Sequence, residues 1–270
     1  LAAEEVDRIT QEAHDFIGII SAEPETTLEI VEHIRELERI DENLNKLFEA
    51  VDYAHDLYMI IKEFEIPCDD ERREDYMDCE DLVNRGSELL KETQARRPDF
   101  INQLNQRMLA DIDVLREEIH DIALGVQISE LLDINTGSKK AKGILDDLNQ
   151  RLSACKERVE EYIGYQKEFK IDISQFLEMD DTFLEIRMRN NLWQSLDEWD
   201  AALDSWVNME FNQLNVEEMN NLNMKIIKNC LQFEKYLPEN NIVPKMKSSA
   251  DEFRAKLPVI GFLRNPHFKA

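Results

Sequence analysis

The sequence predicts an all-α chain of long amphipathic helices, and three observations predict it. Only 7 Gly and 7 Pro occur in 270 residues. A β sandwich or barrel needs a turn about every ten residues, and this supply cannot provide them. Apolar residues recur at 4-3 spacing along most of the chain, the stripe of a helix packed on one face. No run of strand-like alternation interrupts them. The expected architecture is elongated: antiparallel helical bundles arranged end to end.

The first stripe is Val6, Ile9, Ala13, Phe16 and Ile20, stopped by Ala22-Glu23-Pro24-Glu25. Thr26 with Glu29 three positions on is a capping box, which opens the next helix by satisfying its first amide groups. That helix carries Ile30, Ile34, Leu37, Leu44, Leu47, Val51, Ala54, Tyr58 and Ile61 before Pro67. It runs for nearly forty residues, or about 55 Å at 1.5 Å per residue, a length ordinary in rods and unusual in compact enzymes. After Cys68-Asp69-Asp70-Glu71 a helix resumes through Leu82, Leu89 and Leu90. Pro98 either kinks it or occupies the first turn of a new one. A long stripe follows from Ile101 to Val126. Asn135-Thr136-Gly137-Ser138 is the clearest loop signal, so the expected division is a tail bundle over 1–135 and a second bundle over 138–270. Beyond it come stripes from Leu145 to Phe169, from Leu192 to Trp206 and from Met219 to Leu237, then a short helix from Pro244 to Lys256.

Charge excludes several functions. There are 58 Asp+Glu against 32 Lys+Arg, a net charge of −26. Nucleic acid and anionic membranes are poor partners for such a surface, because phosphate binding rests on clustered cations. No apolar run is long enough to span a bilayer. The start, Leu1-Ala2-Ala3-Glu4, lacks a basic n-region, so no signal peptide is expected. The four cysteines are scattered, and Cys155 and Cys230 fall on apolar stripes as small hydrophobes, which points to a reducing compartment.

Candidate chemistry is thin. A di-iron bundle needs two inward Glu-x-x-His pairs. Glu117-x-x-His120 is one, but the apolar face is centred near Leu115, which turns Glu117 almost directly away and leaves His120 off the core. Asp52-x-x-His55 is a weaker match of the same kind. Gly137-Ser138-Lys139 lacks the strand and the spacing of a phosphate loop. No catalytic, metal or cofactor site is expected. The bulky positions are Trp193, Trp199 and Trp206. Trp199 and Trp206 lie on the seam of Leu192, Leu196 and Leu203, whereas Trp193 is about 100° round from Leu192 and is expected to be the more exposed. Truncating Trp206 should therefore cost more than truncating Trp193.

The C-terminal third carries a more specific pattern. Leu192-Trp193-x5-Trp199-x6-Trp206 is followed by Phe211-x2-Leu214-Asn215-Val216-Glu217 and by Asn241-Ile242-Val243. The string Leu257-Pro258-Val259-Ile260-Gly261-Phe262-Leu263-Arg264-Asn265-Pro266 closes it. Residues 176–268 resemble the dynein heavy chain family, axonemal type, where the helical tail runs into the linker; residues 1–175 agree with it through helix periodicity alone. The resemblance implies a piece of an ATP-driven microtubule motor. Its ATPase ring and microtubule-binding stalk lie elsewhere in the parent chain, so this segment is expected to have no ATPase activity and no direct grip on tubulin. The partners it implies are the rest of the heavy chain, linker and ring, and other dynein subunits, in the cytoskeleton of the ciliary axoneme. The competing class is a spectrin-like or coiled-coil scaffold, which should repeat itself at a fixed period; the Trp-rich segment has no counterpart near residues 1–130.

Pro258 and Pro266 are expected to keep Leu257–Phe268 from forming one helix. Val259, Ile260, Phe262 and Leu263 are strongly apolar there, and their packing partner is expected partly outside this segment.

Overall fold

The structure is a computed structural model that describes residues 2–264. Among the described residues every regular element is helical: α1 (Ala2–Ile20), α2 (Thr27–Glu63), α3 (Asp70–Ala95), α4 (Arg97–Val126), α5 (Ser129–Leu132), α6 (Ser138–Glu168), α7 (Leu177–Asn208), α8 (Val216–Tyr236) and α9 (Ile242–Leu263). Short 3-10 turns lie at Ile134–Thr136 and Phe211–Gln213. No helix among the described residues is long and apolar enough to cross a membrane.

Packing divides the chain into two compact units, Leu1–Asp111 with Tyr165–Ile171, and Ile112–Gly164 with Asp172–Ala270. This is not the division expected from the Asn135–Ser138 loop, which lies inside the second unit. The reason is helix length: α4 and α6 each carry one continuous stripe whose two ends belong to different cores. A strong turn signal marks where the chain bends, which need not be where its packing parts.

In the first unit, Val6, Ile9 and Ala13 of α1 pack with Leu47, Val51 and Ala54 of α2 and with Cys79 and Val83 of α3. The capping box forms as the sequence demands. Thr26 accepts from the Glu29 amide, and the Glu29 carboxylate accepts from the Thr26 amide; the Glu25 amide, and then the Thr26 amide, hold the Glu29 carboxyl below its usual value. Pro98 sits in the first turn of α4, where its missing N–H is not needed. Arg35 donates to both carboxylate oxygens of Glu168, at 2.9 and 2.6 Å. His33 is buried edge-on to Phe100, with ring centroids 5.2 Å apart, and its Nε2 has no hydrogen-bond partner among the described residues. Burial alone pulls its pKa below the ordinary histidine value.

Two helix ends in this unit share one device. At the end of α2 the Ile66 amide donates to the Ile61 carbonyl and Glu65 to Lys62. At the end of α6 Ile171 donates to Gln166 and Lys170 to Lys167. These are Schellman motifs, yet the left-handed residue is Glu65 (φ 49°) in one and Lys170 (φ 56°) in the other, where glycine is the unstrained choice.

The second unit is built around the middle of α7. Met188, Arg189, Leu192, Trp193, Ser195, Leu196 and Trp199 are all buried, so this stretch is covered on more than one face. Around it lie Leu145, Leu152 and Val159 of α6, Ile226 and Cys230 of α8, and Ile242, Val243 and Met246 of α9. All four cysteines are free thiols; Cys79, Cys155 and Cys230 are buried and Cys68 is half-buried. Burial pushes the Cys230 thiol up to about 11.

α9 departs in part from the expectation that the prolines interrupt Leu257–Phe268: Pro258 does not interrupt it, while Asn265–Phe268 lie outside the described residues. The helix runs unbroken from Ile242 to Leu263 with Pro258 inside it. An interior proline costs about 3 kcal/mol in an unsupported helix. Here Leu257 and, in part, Ile260 pack on Leu214 and Met219, and Pro258 lies on the exposed side. Tertiary packing outweighs the local penalty.

Candidate functional site

The candidate region lies within the second unit, where the end of α7, the Phe211–Gln213 turn, α8 and α9 meet. Asn215 opens α8 by accepting from the Glu217 and Glu218 amides. Asn240 serves the start of α9, accepting from Ile242 and Val243. α8 and α9 pack together, and Asn223, fully buried, donates to the Ala250 carbonyl at 2.7 Å.

An aromatic cluster joins α7 to α9. Trp199 meets Trp206 edge-on at 6.0 Å and Phe253 edge-on at 5.4 Å, while Trp206 stacks on Phe253 at 5.0 Å. Trp199 donates its indole N–H to Ser249 Oγ at 3.0 Å. Trp206 continues into the smaller group of Leu214, Met219 and Leu257. At the end of α9 Arg264 donates from Nε to the Leu214 carbonyl, 3.1 Å away. The structure thus brings Trp199, Trp206, Leu257, Ile260 and Arg264 into one junction. Trp193 is buried elsewhere in the α7 core, fully enclosed and with its indole N–H unpartnered among the described residues. That reverses the expected ranking: Trp193 is 0% exposed, whereas Trp206 is only partly covered. Val259, Phe262 and Leu263 are exposed, at 60, 60 and 50%. Asn265 and Pro266 lie outside the described residues.

A polar clasp at the other end of α9 was not foreseen. The Asn241 amide donates to the Leu132 carbonyl at 3.1 Å. Its side chain accepts from the Ile134 amide at 2.9 Å and donates to Asp133 at 2.9 Å. Asp133 also accepts from the backbone and side chain of Asn135. The Asn241 amide group, and then the Asn135 backbone, hold the Asp133 carboxyl below its usual value. Beneath this clasp Arg189, fully buried, donates to Glu185 at 2.7 and 3.1 Å and to the Leu131 carbonyl at 3.5 Å. The sequence offered a hint in Asn240-Asn241, a doubled amide before an apolar start. Nothing marked Arg189 as interior.

Glu117 and His120 are both exposed, as their angle from Leu115 requires. His120 pairs with Glu178 at 2.9 Å, which raises its pKa. His55 bonds to the Tyr76 hydroxyl at 2.8 Å. Among the described residues no group of His, Cys, Asp or Glu is arranged to hold a metal ion. What the geometry defines is a junction whose helices are tied by directional contacts.

The chain is similar to the N-terminal region of dynein heavy chains. Residues 179–270 match the family described as "Dynein heavy chain, N-terminal region 2", and that match contains the aromatic junction and the Asn241 end of the clasp. Among its relatives is human "Dynein axonemal heavy chain 6", 29% identical over 265 residues, covering 98% of this chain and 6% of that protein. "Dynein-1-beta heavy chain, flagellar inner arm I1 complex" of Chlamydomonas reinhardtii is 21% identical over 253 residues, covering 90% of this chain and 5% of that one. Human "Dynein axonemal heavy chain 2" is 17% identical over 253 residues, with 92 and 6% covered. The chain therefore spans about one-twentieth of the relatives it matches.

Proposed function

We propose that this segment is a non-catalytic mechanical part of an axonemal motor, the root from which the linker springs, carrying force between an ATPase ring and a cargo anchor. The functional division would then set tail helices over 1–135 apart from a second bundle over 138–270 that leads into the linker. Its partners are the rest of the parent heavy chain and other dynein subunits in the ciliary cytoskeleton. One observation carries the reading: the family match coincides with the part of the chain where α9 is fixed at its start by the Asn241–Asp133 clasp, at its middle by the Trp199–Trp206–Phe253 cluster and at its end by Arg264 on the Leu214 carbonyl. A helix fixed only by aliphatic packing can shift under load; one held by bonds of defined direction resists it. The names of the relatives point to the axoneme and the flagellum.

The test separates mechanics from chemistry. In the parent heavy chain, Trp206→Ala with Phe253→Ala should leave ATP hydrolysis unchanged and slow microtubule gliding. Parallel loss of both activities, or loss of neither, overturns the reading.

A further inference from the structure

In the first unit an open groove of about 410 Å³ runs between the end of α2 and the start of α3. Its floor is an aromatic pair, Tyr58 stacked on Tyr76 with centroids 5.0 Å apart. Both hydroxyls are engaged. Tyr58 donates to the Arg72 carbonyl at 2.9 Å, and Tyr76 donates to Glu80 at 3.2 Å beside His55. Burial, with Glu80 second, pushes the Tyr76 phenol up to about 12, so the floor stays neutral and fixed. Two methionines form the walls, Met59 on α2 and Met77 on α3, and they are 50 and 65% exposed. Methionine is flexible and polarisable, and open methionine surfaces adapt to varied apolar side chains.

The charges around this groove form a pattern. One turn to either side of Met59 stand Asp56 and Glu63; one turn to either side of Met77 stand Glu74 and Asp81. Residues three and four apart share a helix face, so each methionine is bracketed by carboxylates, all four of them exposed. The four carboxylates flank the groove, whose own lining includes Lys62, Arg73 and Glu80; Arg73 is taken up by Asp70 at 3.6 Å, and the surrounding balance is acidic, as is the chain at −26.

We propose that this groove docks a basic amphipathic helix of a separate polypeptide, its apolar stripe on Met59, Met77 and the tyrosine floor and its flanking lysines or arginines on the four carboxylates. Charge complementarity selects the partner: an acidic segment would meet carboxylates on both walls, whereas a cationic one is drawn in by the whole chain's field. An apolar stripe is needed as well, since separated carboxylates alone give only screened, non-specific attraction.

The probe is a helical peptide of about 18 residues made of leucine and lysine with the apolar stripe at i, i+3, i+4 and i+7. It is titrated into the 270-residue chain at about 0.15 M salt, where exposed long-range attraction is screened. Two controls accompany it, a scrambled order of the same residues and a version with glutamate for lysine. The striped basic peptide should bind, and Met59→Gln with Met77→Gln should weaken it about tenfold or more, the loss expected when buried methionine contacts are removed. Both methionines are half exposed or more, so the variant should fold. As an independent readout, methyl-labelled methionine spectra should show the Met59 and Met77 signals moving while that of the buried Met108 stays in place. Equal binding of the scrambled peptide, preference for the glutamate version, unweakened binding to the double variant, or unmoved Met59 and Met77 signals would each overturn the proposal.

Discussion

The α1–α2–α3 core is aliphatic apart from Cys79, whereas the second unit buries Trp193, Trp199, Arg189 and Asn223. The contrast concerns how an arrangement is specified. Aliphatic stripes are satisfied by any packing of the right volume, and they tolerate repacking at modest cost. A buried guanidinium and an indole bound to Ser249 are satisfied in one arrangement only. The buried Asn223 amide donates to the Ala250 carbonyl while its Oδ1 finds no partner among the described residues, and that one bond fixes it. The first unit carries its ion pairs and caps at helix ends and on its surface, as in the Thr26 box and the Arg35–Glu168 pair, and buries smaller or neutral polar groups such as His33 and Gln166. The second places a charged guanidinium, that of Arg189, inside. A segment under load gains most from interior fixing where its helices must not slide.

The largest effect that would break or confirm this contrast lies in α7. Trp193→Ala should lower stability by about 3–5 kcal/mol, the range for emptying a buried aromatic site. Trp206→Ala should cost clearly less, because Trp206 is only partly covered. Denaturant titrations followed by far-UV dichroism give both midpoints; equal midpoints would remove the special standing of the α7 core.

The first unit also buries polar side chains, among them Thr27, Thr93 and Gln166, and His33 is the one of these with a ring nitrogen left without a partner among the described residues. Its folded pKa is lowered by burial. The unfolded chain therefore binds the proton more readily, and stability must fall as pH drops through the unfolded value of about 6.5. Exposed His120 acts in the opposite sense, since Glu178 raises its pKa; its contribution is lost as pH rises through that raised value. Denaturant midpoints at about pH 7 and pH 5, compared between the native chain and His33→Leu, isolate the term. The native chain should lose more on acidification than the variant. Identical pH dependence would mean that His33 reaches solvent when charged.

The smallest effect concerns turns. The second unit places glycine at its left-handed turn, Gly137 with φ 82°, whereas the first uses Glu65 and Lys170. A left-handed L-residue costs about 1–2 kcal/mol, and glycine's extra freedom in the unfolded chain returns about 0.4–1 kcal/mol of that. Lys170→Gly should therefore stabilise by roughly 0.5–1 kcal/mol, read as a raised urea midpoint. A destabilised variant would show that the lysine side chain contributes more than the backbone relief.

Helix stripes and ends were legible because they depend on residues near one another in sequence. Thr26–Glu29, Pro98 and the stripe from Ile30 to Ile61 each specify a local outcome, and the structure follows them. The family resemblance was also legible, from spaced tryptophans and the Leu257–Pro266 string. Features set by several elements at once were not. Trp193 looked peripheral because a single buried face was assumed for α7, and a helix covered on several sides has no peripheral step. The adjacent bulky pair Leu192-Trp193 was the available signal. Pro258 was read by its local penalty, while the deciding term came from Leu214 and Met219, far away in sequence. Arg189 carries no mark in the sequence, since an arginine four residues from a glutamate is ordinary on a solvated helix.

The cysteine distribution has a practical consequence. Three thiols are enclosed, Cys230 with its pKa pushed up to about 11, and Cys68 alone is partly open, close to the turn that follows α2. A maleimide dye at neutral pH should thus attach at a single position without any engineered background. The other three thiols report opening: each becomes reactive only when its own helices separate, Cys79 for the first unit and Cys155 and Cys230 for the second. Pulsed alkylation followed by peptide mass mapping would then read, from the native sequence itself, which unit yields first under force or heat.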